Sequence, residues 1–159
     1  MTNPDGLGGK ALVVGATGGM GRAVALTLAR EGVELALLGR DEKALEAVAL
    51  QCRDAAVAVH PILCDIARID TIEAAVSNAI GQLGGLNYLV NCAGISPDES
   101  LHDSDLANAE AILDTNLRAH LHLARRALPE INRSSGGAVV KIGAVNMAYP
   151  GANTLRRSR

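Results

Sequence analysis

The chain has 159 residues, of which 48% are hydrophobic, enough for one domain with a buried core. Its net charge of -2 and its lack of Trp and Phe argue against a nucleic-acid surface, which would be basic and would stack bases on aromatic rings. No apolar run long enough to cross a membrane, no signal peptide and no metal-ligand spacing among the 3 cysteines are visible, so we expect a cytoplasmic protein without a metal site.

Short apolar runs alternate with longer amphipathic ones along the chain. The apolar runs predict strands at Ala11–Val14, Val33–Leu38, Val57–Leu63, Leu86–Cys92 and Ala138–Ile142. The amphipathic runs predict helices at Gly19–Arg30 (with Gly32 as its C-cap), Asp41–Arg53, Thr71–Gln82 and Asp105–Glu130, the last one bent in its middle. Strands that are apolar nearly throughout and are separated by helices indicate an α/β fold, with a parallel sheet covered on both faces.

A glycine-rich turn, Val13-Val14-Gly15-Ala16-Thr17-Gly18-Gly19-Met20-Gly21, joins the first strand to the first helix. Gly15 permits a tight turn, and Gly19 and Gly21 leave room for a pyrophosphate to approach the amides at the helix start, where the helix dipole favours an anion. A purely structural turn is the alternative, but its place between a strand and a helix favours dinucleotide binding. The predicted cofactor contacts here are Gly15, Thr17, Gly18, Gly19, Met20 and Gly21.

This glycine spacing and four later motifs resemble those of the short-chain dehydrogenase/reductase family. The later motifs are Cys64-Asp65-Ile66, Asn91-Cys92-Ala93-Gly94, Asp114-Thr115-Asn116-Leu117 and Gly137-Ala138-Val139-Val140-Lys141-Ile142. The resemblance runs from Lys10 to about Asn153. It implies that Asp65, with Ile66, contacts the adenine and that Asn91, Ala93 and Gly94 lie at the cofactor.

The resemblance also implies a fold and a domain plan. We expect a three-layer, Rossmann-type, doubly wound parallel sheet of about five strands that is incomplete at its C-terminal side. Residues 1–9 are expected to be a flexible N-terminus, residues 10–154 a partial NAD(P)-binding domain and residues 155–159 a basic tail.

Cofactor choice is indicated at the end of the second strand, where NAD-binding relatives carry an acidic residue that holds the ribose hydroxyls. This chain has Gly39-Arg40 there. A guanidinium pairs well with a 2′-phosphate, so Arg40 favours NADP over NAD. The alternative is that Arg40 is a solvated residue at the start of the next helix, and Gly18 stands where many NADP-binding relatives carry a second basic residue.

The same resemblance exposes departures from the family's catalytic residues. The expected Ser position holds Ala144, and the expected Tyr-x-x-x-Lys would begin near Arg156 to Ser158, where no Tyr stands. Of the catalytic tetrad only Asn116 remains, and without its partners it is interpreted as a structural residue that caps or kinks the long helix. We therefore expect the chain to be inactive or very weak as an enzyme.

Three hypotheses follow. The first is a truncated or frameshifted NADP-dependent oxidoreductase, whose family interconverts a small carbonyl compound and an alcohol by hydride transfer. The second is a non-catalytic NADP-binding module. The third is a structural partner that pairs with another chain through an open sheet edge at Ala138–Ile142, and a homo-oligomer is one form of such pairing. Neither nucleic acid nor membrane is expected as a partner.

Overall fold

The computed structural model describes residues 7–96 and 106–143, in which the five strands of one sheet alternate with helices along the chain. In chain order the elements are β1 Lys10–Val14, α1 Gly19–Arg30, β2 Glu34–Gly39, α2 Glu42–Arg53, β3 Val59–Leu63, α3 Ile69–Leu83, β4 Tyr88–Asn91, α4 Leu106–Leu113, a π-helical segment Asp114–Arg118, α5 Ala119–Ile131 and β5 Ala138–Lys141. Within these two ranges no helix combines the length and the apolarity needed to cross a membrane.

The sheet is parallel throughout, with the strand order β3-β2-β1-β4-β5. The first strand lies in the centre, where Val13 is paired with Leu37 of β2 on one side and with Val90 of β4 on the other. Winding therefore reverses between β1 and β4. In sheets of this kind ligands bind in the crevice outside the carboxyl ends of the strands at such a reversal.

Each face of the sheet has its own core, because successive strand side chains point to opposite faces. On one face, Val13 and Leu37 are buried with Ala25 of α1 and Leu45 of α2. On the other face lies the larger cluster, formed by residues of β1 to β4 with α3 and α5; its fully buried leucines include Leu12, Leu38, Leu89 and Leu123. The predicted three-layer, doubly wound α/β fold is confirmed.

The C-cap of α1 and the first residue of α2 each differ by one position from the prediction, for identifiable reasons, whereas the predicted bounds of α1 itself are confirmed. The C-cap of α1 is Glu31 rather than Gly32, and Gly32 follows it with a positive φ that turns the chain toward β2. The helix predicted from Asp41 begins at Glu42, because the Asp41 carboxylate accepts a hydrogen bond from the Ala44 amide and caps the helix.

The long helix predicted over 105–130 is interrupted in its described part. The amide of Ala119 donates to the carbonyl of Asp114, five residues back, so the segment Asp114–Arg118 is π-helical. This extra residue changes which side chains face the sheet. Ala119, Leu123 and Ala127 of α5 are buried, whereas the leucines at positions 117, 121 and 128 are exposed.

Candidate functional site

The turn between β1 and α1 is fastened to the neighbouring strand. The amides of Gly15 and Ala16 both donate to the carbonyl of Leu38 in β2, at 2.9 and 3.1 Å. Within the turn, the amide of Gly18 donates to the carbonyl of Gly15 at 3.1 Å. The turn therefore has a fixed shape at the carboxyl edge of the sheet.

Two of its glycines are required by close backbone approach. A Cβ built on Gly15, whose φ is +74, would lie 2.9 Å from the backbone of Ala93, and one built on Gly21 would lie 2.1 Å from the carbonyl oxygen of Gly15. The first contact brings the β1 turn against the loop after β4. The second lets α1 start directly beneath the turn, so the glycine spacing noted in the sequence has a structural cause.

The start of α1 is available for an anion. Its N-cap is Gly18, which supplies no side-chain hydrogen bond, and no acidic residue stands in the first turn. Gly18, Gly19 and Met20 are exposed, and Thr17 lies beside Gly39 at the end of β2. The first amides of any helix lack intrahelical acceptors, and the helix dipole makes this end positive.

The carboxyl ends of β2 and β3 form a cleft of about 270 Å³ whose lining includes Arg40, Asp65 and Arg68. One oxygen of Asp65 accepts a hydrogen bond from the Ala67 amide at 3.1 Å, which fixes the loop after β3. Ile66 is only 8% exposed and belongs to the core, so its side chain is not directed to the cleft. Arg40 and Asp65, which are both predicted cofactor contacts, thus line the same cleft. Arg68 was not singled out, although a basic residue three positions after Asp65 was a visible signal.

The loop after β4 is held by Asn91, which is fully buried. Its side-chain oxygen accepts from the Ala93 amide at 3.0 Å, and its side-chain nitrogen lies 3.4 Å from Nδ1 of His120 in α5. The loop also lies against the β1 turn at the winding reversal, because Ala93 closely approaches Gly15.

Asn116 lies in the π-helical segment, and its side chain forms two hydrogen bonds with the same loop. Its Oδ1 accepts from the amide of Ile95 and its Nδ2 donates to the carbonyl of Ile95, both at 2.8 Å. A Cβ on Gly94 would lie 3.1 Å from this Oδ1. The asparagine predicted to cap or kink the helix lies where the helix departs from α geometry, and its polar atoms bind the β4 loop.

Lys141 of β5, which was not among the predicted site residues, also reaches this loop. Its Nζ donates to the carbonyl of Ala93 at 2.5 Å. Burial lowers the pKa of Lys141, against the opposing influence of the Cys92 thiol, and burial followed by the charge of Lys141 lowers the pKa of His120. Burial raises the pKa of Cys92, while Lys141 acts in the opposite direction. A lysine inside an otherwise apolar strand was the signal that would have found it.

Sequence comparison assigns this arrangement to a known group. A sequence model of the short chain dehydrogenase family matches residues 9–155, nearly the whole chain. The chain belongs to the short-chain dehydrogenase/reductase family. Ala144, the residue predicted to stand at the family's catalytic Ser position, lies outside the residues that the structure describes.

Similar members of the short-chain dehydrogenase/reductase family include a bacterial reductase and two solved structures. The 3-oxoacyl-[acyl-carrier-protein] reductase FabG of Staphylococcus aureus strain Mu50 is 35% identical over 137 residues, which are 85% of this chain and 55% of that protein. L-sorbose reductase from Gluconobacter frateurii, solved with NADPH and L-sorbose, has a TM-score of 0.87 at 25% identity, covering 93% of this chain and 57% of that one. A metagenomic short-chain oxidoreductase solved with NADP has a TM-score of 0.80 at 29% identity, covering 85% of this chain and 62% of that one. The chain thus spans little more than half the length of these relatives.

Replacing Asn116 by Ala should destabilise the chain by about 2 kcal/mol, because two hydrogen bonds to Ile95 are lost. Urea unfolding followed by circular dichroism measures this. Asn78→Ala on the exposed surface of α3 is the matched control and should change the free energy of unfolding by less than about 0.5 kcal/mol. Equal losses of unfolding free energy in the two variants would show that the hydrogen bonds of Asn116 contribute nothing to stability.

Proposed function

We propose that residues 10–154 bind NADP at the carboxyl ends of the strands, as the cofactor-binding part of an oxidoreductase that interconverts a small carbonyl compound and an alcohol. When bound, the cofactor donates or accepts a hydride. The proposal rests mainly on one observation: Arg40 and Arg68 line a cleft at the carboxyl end of β2, where Gly39 lies next to Thr17 of the turn that leads into the uncapped start of α1. The three cysteine thiols of the chain are free, in keeping with the proposed cytoplasmic location.

The turn between β1 and α1 fits the pyrophosphate. Gly15 and Gly21 allow the backbone to close up against the β4 loop and α1, and the exposed helix start at Gly19 and Met20 presents amides to solvent. Amides at a helix N-terminus hold phosphate oxygens without a charged side chain. Thr17 and Gly18 complete this lining, which leaves the side chains of the turn small.

The cleft at β2 and β3 fits the adenosine 2′-phosphate end. Arg40 is exposed directly after β2, and no described carboxylate forms an ion pair with it. Its planar guanidinium is free to bind a phosphate in bidentate geometry. Asp65 would contact the adenine, and Ile66 would contribute its backbone because its side chain is in the core.

The β4 loop fits the other half of the dinucleotide. Asn91 and Asn116 fix the loop through Ala93 and Ile95, so Gly94 is held at the crevice. In the family the helical asparagine belongs to the catalytic tetrad. Here both polar atoms of the Asn116 side chain are engaged with Ile95, which supports a positioning role.

A non-catalytic NADP-binding module is the second candidate, and Ala144 favours it. Alanine at the family's Ser position has no hydroxyl with which to hold a substrate carbonyl. Tight NADP binding without turnover of carbonyl substrates would select this candidate. Measurable hydride transfer by the same chain would select the oxidoreductase.

The proposal is tested by isothermal titration of the full chain with NADPH and NADH. Arg40→Ala should weaken NADPH binding roughly 10- to 100-fold, the loss expected when a charged hydrogen-bonding partner is removed. NADH binding should change by less than about twofold, because NADH lacks the 2′-phosphate.

Arg30→Ala is the matched control for charge, since Arg30 is exposed in the last turn of α1, at the end opposite the glycine turn. It should leave the affinities for both cofactors unchanged. Equal weakening of NADPH and NADH by Arg40→Ala would overturn the assignment of Arg40 to the 2′-phosphate. Binding of neither cofactor by the unaltered chain would overturn the proposed function.

A further inference from the structure

Lys141 carries a positive charge to the carboxyl end of β5. In the parallel register it is paired with Asn91 of β4, and its half-buried side chain turns toward the β4 loop, where Nζ donates to the carbonyl of Ala93. A Cβ built on Gly94 would lie 4.0 Å from this Nζ. The amine therefore lies at the part of the crevice that Gly94 borders.

No described carboxylate neutralises this amine. The ion pairs in residues 7–96 and 106–143 join Arg53 to Glu46, Arg68 to Asp70, Arg118 to Asp114 and Arg133 to Glu130. The titratable groups that sense Lys141 are the Cys92 thiol and the His120 imidazole, and both are uncharged in their ordinary forms at neutral pH. The charge is thus half-buried and uncompensated within the described residues.

The position of Lys141 matters for the proposed cofactor. In doubly wound sheets a dinucleotide lies across the winding reversal, with one half on each side. The adenosine half is assigned above to the cleft with Arg40 and Asp65 at β2 and β3. The nicotinamide half therefore belongs on the side of β4 and β5, where Lys141 lies. This step rests on the proposed function.

We infer that Lys141 makes this site distinguish the two redox forms of the cofactor, so that NADPH binds more tightly than NADP⁺. The nicotinamide ring carries a positive charge in NADP⁺ and none in NADPH. An ammonium beside the ring repels the first form alone, whereas the phosphates, ribose and adenine of the two forms are identical. At equal concentrations of the two forms the chain then holds mainly the reduced cofactor, and Lys141 is a specificity-determining residue for redox state.

The test is the ratio of the dissociation constants of NADP⁺ and NADPH, measured by titration calorimetry on the full chain. Lys141→Met keeps a long unbranched side chain and removes the charge. It should lower the ratio about fivefold, through tighter NADP⁺ binding, as expected for loss of one screened charge repulsion. Lys141→Arg should keep the ratio of the unaltered chain, and so should Lys43→Met on the exposed surface of α2.

A second measurement needs no variant. Raising the salt concentration should lower the ratio for the unaltered chain, because salt screens the repulsion of NADP⁺ and affects the shared phosphates equally in both forms. A ratio that changes neither with salt nor in Lys141→Met would overturn the inference and leave the proposed NADP site standing. Failure of the unaltered chain to bind either form would overturn the proposed function itself, and the inference with it.

Discussion

Gly21→Ala is expected to destabilise the chain by about 3 kcal/mol or more, because a Cβ at this position would overpack a site that has no room. It would meet the carbonyl oxygen of Gly15 at 2.1 Å and the Cα of Ala16 at 3.0 Å. Both are backbone atoms of a turn already bonded to Leu38, so neither can move without breaking those bonds. Urea unfolding followed by circular dichroism measures the loss.

Gly19→Ala provides the matched control. It makes the same chemical change in the same turn of α1, yet a Cβ at Gly19 would have no neighbour within 4 Å. Because alanine is the better helix former, this variant should be neutral or more stable by up to about 1 kcal/mol. Equal destabilisation of the two variants would contradict the close approach of Gly21 to Gly15.

Leu123→Ala is the second large effect and tests the α5 face of the core. Leu123 is fully buried against the sheet with Leu12 and Leu89. Truncation removes buried methyl groups and leaves a cavity, so we expect a loss of about 3 kcal/mol in the free energy of unfolding. Thermal and urea unfolding of the purified variant give this number.

Leu121→Ala is its control on the same helix, since Leu121 is 58% exposed. It should change the free energy of unfolding by less than about 0.5 kcal/mol. A loss as large as that of Leu123→Ala would mean that the outer face of α5 is covered in solution. A dependence of the unfolding midpoint on protein concentration would then identify a second copy of the chain as the cover.

Much of the sheet was predictable because parallel strands are buried on both faces and show as apolar runs. The strand predicted over Ala11–Val14 is contained in β1, and β3 begins two residues after its predicted start at Val57. Pro61 is accommodated because β3 lies at the edge of the sheet. Strand existence follows from composition, whereas strand ends depend on which amides find partners.

Helix starts were harder to place, and Thr71 shows why. The sequence suggested a helix from Thr71, but α3 begins at Ile69. The Thr71 hydroxyl donates to the carbonyl of Arg68 at 2.8 Å. A threonine near a helix start can cap the next turn or bond backward, and the choice depends on the preceding loop.

The site was predictable where it consists of a local motif and less so where distant segments meet. Arg40 was identified from its place after a strand, and Asp65 from a family motif. The hydrogen bond of Lys141 to Ala93 joins residues 48 positions apart, and those of Asn116 to Ile95 join residues 21 positions apart. Such contacts depend on strand register and helix packing, which the sequence pattern does not specify.

The central place of β1 constrains the order in which the chain assembles. The units β1, β2 and β3 are joined by short local connections, so their pairings close small loops. The bond between Lys10 and Asn87, by contrast, links residues 77 positions apart, and β1 gains its second neighbour only when that loop closes. Loop closure costs more entropy for longer loops, and distant parallel pairings slow folding. We expect the part of the crevice at β2 and β3 to assemble first, with the part at β4 and β5 added as β4 docks.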